Sequence, residues 1–155
     1  MIELMTQRTR TLRWGLLGLS VGVAAMLAGA CGRDPAGPRI ETTATGLQYV
    51  DFVVGNGTLA ALGDTATVDY TARQMDGTAF DSTIGMQPLR FVIGTRNVIA
   101  GFDEGVSSMR VGGQRRLIIP AGLAWGDRGH PPFVPPGGSV IFDVDLLRIS
   151  RPGPV

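Results

Sequence analysis

The residues able to do chemistry in this sequence are few, and their types narrow what that chemistry is. There is one histidine, His130, and one cysteine, Cys31, so neither a zinc-like ligand set nor an internal disulfide framework can be assembled. What the sequence concentrates instead is apolar and aromatic surface. Leu123 to Gly138 is a long loop rich in Pro and Gly, of the kind that is usually functional or disordered. It also carries Trp125, Phe133 and Val134 beside His130. Those side chains are costly to leave in water, so an ordered hydrophobic flap is expected. A second concentration is the run from Val98 to Met109, where Val98, Ile99, Phe102, Val106 and Met109 form the stripe of a short helix buried on one face. The first turn of that helix is expected to be the floor of the functional site.

The elements that must position these residues follow from the pattern on either side. Asn97 is expected to help start the helix, with the cap itself there or a residue or two later. Asp103 and Glu104 suit the positive end of its dipole, and Gly112-Gly113 is expected to stop it. No other helix is expected beyond residue 31. Alternating apolar and β-branched runs predict strands over 47–54, 65–73, 89–93, 114–119 and 140–149. Asp76-Gly77 is a tight-turn pair leading into Phe80-Asp81, after which Ser82 to Pro88 reads as a loop. Phe91, Val106 and Met109 are assigned to core. The expected architecture is an α+β domain over about 46–149. It has about five antiparallel strands and one short helix, between the third and fourth strands, packed on the concave face of the sheet.

The remaining stretches speak to location. Arg8, Arg10 and Arg13 precede an uncharged run from Trp14 to Ala30, the layout of a secretory signal. The run is shorter than the ~20 residues of a spanning helix. It ends in Leu27-Ala28-Gly29-Ala30-Cys31, which resembles the lipobox of bacterial lipoproteins, with Ala28 where that motif favours Leu. The expectation is a signal peptide over 1–30, a lipid-modified Cys31 in preference to an ordinary signal peptide with a cysteine near its end, and a flexible tether over 31–45. A tail over 150–155 would end an exported protein held at a bacterial cell envelope, facing the periplasm or at the outer membrane if the cell is Gram-negative. Beyond the leader, eleven Arg face twelve Asp and Glu, so attraction to an anionic membrane is not expected. All the basic residues are Arg and they are scattered, which reads as solvated surface and argues against nucleic acid as a partner.

The motifs in order carry a resemblance. Val68-Asp69-Tyr70-Thr71, Asp76-Gly77 with Phe80-Asp81-Ser82-Thr83, and Val98-Ile99-Ala100-Gly101-Phe102-Asp103-Glu104-Gly105 are followed by Met109-Arg110-Val111-Gly112-Gly113 and Ile119-Pro120. Leu123-Ala124-Trp125-Gly126, Pro135-Pro136 and Phe142-Asp143-Val144-Asp145-Leu146-Leu147 complete the series. Over essentially all of 46–149 the sequence is similar to the FKBP-type peptidyl-prolyl cis–trans isomerases.

The resemblance implies a twisted antiparallel sheet wrapped around the helix, with a pocket between the two. It implies catalytic roles for Asp81, Tyr70, Ile99 and Phe142, Ile99 acting through its backbone N–H. Phe80, Leu89, Val98, Phe102, Trp125, His130, Phe133 and Val134 would complete the substrate-binding walls. The implied activity is acceleration of X–Pro bond rotation in unfolded or newly exported proteins, by a monomer that needs no cofactor and no metal. Macrolide inhibitors of the family are implied as further ligands. Three departures stand out: Trp125 replaces a usual Tyr, Leu89 and Phe102 replace a frequent Phe and Trp, and Asn97 replaces an acidic residue of some members. Two other function classes compete with the enzyme: a proline-binding module or holdase without isomerase activity, and a surface interaction lipoprotein on an inherited scaffold.

Overall fold

Every strand expected from alternation is present in the computed structural model, which describes residues 37–151. In chain order the elements are β1 (Ile40–Thr42), β2 (Gln48–Val53), β3 (Thr65–Arg73), β4 (Ala79–Ser82), β5 (Leu89–Val92), α1 (Ala100–Ser107), β6 (Gln114–Ile119) and β7 (Val140–Ser150). All strand pairs are antiparallel, in the order β1-β2-β6-β7-β3-β4, with β5 also paired to β3. Period-two burial explains the sheet's one-sidedness. Along β7, Val140, Phe142, Val144 and Leu146 are buried, while Ile141, Asp143 and Asp145 between them are not.

Seven strands replace the expected five or so, and both additions are short. β1 lies inside the stretch expected to be tether, pairing Ile40 with Val50 and Thr42 with Gln48. It is exposed throughout, so it has no buried face and no hydrophobic period to betray it. β4 covers Phe80-Asp81 and reaches Ser82, the expected start of a loop, because Thr71 and Ala72 pair with Ser82 and Asp81. The expected leader and Cys31 lie outside the described residues.

The helix also differs in detail. Its N-cap is Ile99, two residues past Asn97 and within the expected range, extended at φ −60° and ψ 145° with no side-chain capping bond. It ends at Ser108, ahead of Gly112-Gly113. Asp103 has the expected place in the first turn and does more than complement the dipole. It is buried and accepts the Gly94 N–H at 2.9 and 3.0 Å, tying the end of β5 to α1. Phe102 and Val106 face the sheet, and Met109, just past the helix, is buried with them.

Two features seat α1 on β6. Gly101 and Gly105 are one turn apart, and a Cβ on Gly105 would lie 2.5 Å from Leu117 Cδ2. A Cβ on Gly101 would collide with Ile119. Gly is unfavourable in a helix interior by ~1 kcal/mol relative to Ala, so its presence here follows from the close approach. The second feature is Arg115, which is buried although scattered Arg reads as solvated surface. It donates to both Asp51 oxygens at 2.7 and 2.8 Å, to Gly105 O at 2.9 Å and to Ser108 Oγ at 2.6 Å. Its guanidinium also stacks on the Tyr49 ring at 4.1 Å. Three elements, β2, β6 and the end of α1, are joined through one side chain.

Gly105→Ala tests the close approach by the sign of its effect. At an open helix position the change would stabilise by ~1 kcal/mol. Against the fully buried Leu117 it is expected to destabilise by ~1–3 kcal/mol, read as a fall in the urea midpoint at unchanged slope.

Candidate active site

Where α1 begins, the chain leaves β5, bends through Asn97 and Val98 and is extended at Ile99 before turning into the helix. This geometry keeps the Ile99 N–H out of the helical ladder. The Ile99 carbonyl accepts from Phe102 and Asp103, whereas its N–H has no acceptor among the described residues. Ile99, Val98 and Asn97 line a cavity of about 380 Å³ between α1 and the sheet. Phe102, only 2% exposed, is at its floor.

The sheet contributes the walls. Tyr70 of β3 and Phe142 of β7 approach Phe102 with ring centroids 5.8 and 5.2 Å away, both edge to face. Tyr70 and Phe142 are 5.5 Å from each other. The two contacts with Phe102 therefore take the edge-to-face geometry that aromatic quadrupoles favour. Phe91 packs on the far side of Phe102 at 5.6 Å and is core, as expected. Phe80 and Asp81 of β4 and Leu89 of β5 complete the sheet side.

The flap supplies the rest, and it is ordered. Two short 3-10 turns, Ala121–Leu123 and Gly126–Arg128, start it. Gly137 N–H then donates back to Gly126 O at 3.0 Å. His130 and Val134 exchange backbone hydrogen bonds at 2.8 and 2.9 Å, pinching the loop's tip. Trp125 and His130 line the cavity and stack on each other, with centroids 4.8 Å apart and planes 19° apart.

Two residues expected in the wall lie elsewhere. Val134 is 1% exposed and belongs to the core, pulled inward by its bridge to His130. Phe133 stacks on Phe80 at 5.4 Å and 11°. Both line a separate cavity of about 200 Å³, with Met75 and Asp76. They brace the wall and do not form its surface. Asn97 is the residue the expected wall omitted. Its signals in the sequence are its place beside Val98 and the acidic residue that some family members carry there.

The electrostatics are concentrated in one pair. Asp81 is positioned by its β-ladder with Ala72 and by Tyr70, whose hydroxyl donates to Asp81 Oδ2 at 2.6 Å. Thr83, two residues on, takes the Tyr70 N–H at 2.9 Å and donates to Asp69 at 2.9 Å, anchoring the 82–88 loop to β3. Burial first, then the hydrogen bond to Asp81 and its negative charge, push the Tyr70 phenol up from 10.0 to about 12. A phenol held this way stays protonated and keeps one carboxylate oxygen engaged. The other oxygen of Asp81 has no donor among the described residues. The arrangement is an apolar chamber with one free N–H donor at the helix start and one oriented carboxylate opposite. It suits the binding and polarisation of an amide, with no bond broken.

The raised Tyr70 value has a definite sign in stability. A group whose pKa is higher folded than unfolded contributes stability that is complete below the unfolded value and is lost as pH rises through the folded one. Stability is therefore expected to fall from pH 10 towards 12, and more steeply in the wild type than in Tyr70→Phe. Tyr49, raised chiefly by its hydrogen bond to Glu41, titrates in both proteins and cancels in the difference of their urea midpoints.

The comparisons with known proteins agree with this geometry. The model of the family described as FKBP-type peptidyl-prolyl cis-trans isomerase matches residues 56–147. The chain is 48% identical over 112 residues to FK506-binding protein 4 of Dictyostelium discoideum, covering 72% of this chain and 30% of that one. It is 42% identical over 107 residues to peptidyl-prolyl cis-trans isomerase Fkbp12 of Drosophila melanogaster, covering 68% of this chain and 99% of that one. The crystal structure of AtFKBP13 superposes with a TM-score of 0.68 at 33% identity, over 72% of this chain and 99% of that one. The chain thus spans less than a third of the Dictyostelium protein and nearly all of the Drosophila one. With the motifs, the sheet wrapped on one short helix and the family match in agreement, the chain belongs to the FKBP-type peptidyl-prolyl cis-trans isomerases.

Proposed function

We propose that the chain accelerates cis–trans rotation of X–Pro bonds in polypeptide segments that enter the pocket over Phe102. The observation that carries this reading is the cavity itself, aromatic and aliphatic over its floor and most of its walls, with polar groups at Ile99 N–H, the Tyr70–Asp81 pair, Asn97 and His130. Rotation must pass a twisted amide about 18–20 kcal/mol above the planar one, and no covalent bond changes. A prolyl ring among Tyr70, Phe102, Phe142 and Trp125 would lose its water. The dry surroundings favour the twisted amide, which has lost resonance charge separation, over the more polar planar form. Ile99 N–H would hold a substrate carbonyl, and the Asp81 carboxylate would act on the partial charge of the twisted state. Macrolides of the kind that bind family members would compete for the same chamber.

The reading extends to location. The charged start, apolar run and Ala30-Cys31 junction support an exported chain anchored by a lipid on Cys31, with residues of the 31–45 stretch before β1 as its spacer. Its substrates would then be unfolded or newly exported proteins, and the enzyme would work as a monomer.

The test of the activity is exchange NMR on a short X–Pro peptide with catalytic amounts of protein. The wild type is expected to broaden the cis and trans resonances. Asp81→Asn is expected to lower turnover about tenfold with little change in binding, since the carboxylate is exposed and its field is screened. Peptide binding without exchange would instead make this a proline-binding module, and unchanged turnover in Asp81→Asn would remove the electrostatic role. For the anchor, palmitate is expected to label the wild type and not Cys31→Ala; equal labelling would overturn it.

A further inference from the structure

On the outer face of the sheet, Thr67 of β3 is the direct partner of Arg90 on β5 and of Arg148 on β7. Residues opposed across a ladder share a face, so two guanidinium stems flank one hydroxyl, about 10 Å apart at the backbone. The face is the one away from the core, because Ala66 and Val68, on either side of Thr67, are both fully buried. Leu89, next to Arg90, lines the active cavity from the opposite side.

A bulge completes the place. Val68 pairs with Leu146 but Thr67 with Arg148, which leaves Leu147 as the extra residue. Bulges re-aim side chains, and here the inward alternation of β7 ends, with Leu147 45% exposed beside an exposed Arg148. Thr67, Pro88, Arg90, Leu147 and Arg148 line a groove of about 350 Å³.

The charge in this groove is uncompensated. Arg73 and Arg116 share Asp143, Arg115 holds Asp51, and Arg151 reaches Asp64. Among the described residues, no carboxylate lies within ion-pair distance of Arg90 or Arg148. Like charges placed across a strand are unfavourable, yet these two are aligned on a hydroxyl and an apolar wall. Two planar guanidinium forks and one hydroxyl match the oxygens of a tetrahedral anion, and Arg is the side chain that binds such groups bidentately. Leu147 and Pro88 would face the carbon side of an ester.

We infer that this outer groove is a phosphate-ester site, separate from the isomerase pocket and independent of it. Its ligand carries one phosphate group, either a soluble ester or a phospholipid headgroup.

Inorganic phosphate titrated into the full chain, followed by amide NMR, is the first probe. Saturable shifts are expected at Thr67, Arg90, Leu147 and Arg148. Arg90→Gln or Arg148→Gln is expected to weaken binding about tenfold, and the double variant to abolish it, with the X–Pro exchange rate unchanged throughout. Shifts that chloride reproduces at equal ionic strength would overturn the site, as would saturable binding that survives in the double variant. Vesicles separate the two ligand sources. Greater retention on phosphatidylglycerol than on phosphatidylcholine, lost in the double variant, supports the site with a lipid headgroup as ligand. Retention indifferent to the variants, with the phosphate shifts intact, supports the site with a soluble ester.

Discussion

The close approach of α1 to β6 is the constraint on which the rest of this structure depends. Without a Cβ at Gly101 or Gly105, the helix backbone sits against Leu117 and Ile119. That depth brings Phe102 into the sheet's curvature, at the floor of the cavity between α1 and the strands. The cavity opens beside the helix start, where Asn97, Val98 and Ile99 line it. Arg115 fixes the opposite end by drawing the Gly105 carbonyl and Ser108 towards Asp51. One end of the helix is thus clamped and the other frames the site.

Site and core share the same side chains. Phe102 and Phe142 are 2% and 7% exposed, as deep as purely structural residues, yet both face the cavity. Phe102 meets both Phe142 and Tyr70 edge to face, which fixes the rings relative to one another. A rigid apolar wall is what amide rotation requires, because any reorganisation on the way to the twisted state would add to its barrier. The flap differs in kind. It is held by a few backbone bonds, His130 with Val134 and Gly137 with Gly126, and by aromatic stacking at its tip. Phe133 thereby acts on the pocket through Phe80.

Charge is arranged differently on the two faces of the sheet. On the inner side it is sparse and paired: Asp81 with Tyr70, and Asp103 with the Gly94 N–H. Towards solvent, Asp143 is shared by Arg73 and Arg116 across three strands. Burial opposes ionisation of Asp143, while the two guanidinium groups outweigh it and hold the carboxyl below its usual range. Arg116 is raised chiefly by the same hydrogen bond. Arg90 and Arg148 stand apart from this pattern.

Local sequence determined the long strands, the buried stripe of α1 and most of the pocket's residues. Alternation and helical periodicity are short-range signals of burial, and the ordered motifs around Tyr70, Phe80-Asp81, Val98-Ile99 and Phe142 carried the family. Tertiary structure decided what depends on neighbours distant in sequence. β1 and β4 exist because β2 and β3 offer them unpaired edges, not because Ile40–Thr42 or Ala79–Ser82 carry a strong period. Arg115 reads as surface until β2 and α1 close over it, and Val134 reads as pocket until its bridge to His130 turns it inward. The partner of Asp81 could not be named until β3 and β4 were aligned. The physical reason is the same in each case. Burial pattern is written along the chain, whereas pairing, register and the partner of a charge are properties of residues brought together only when it folds.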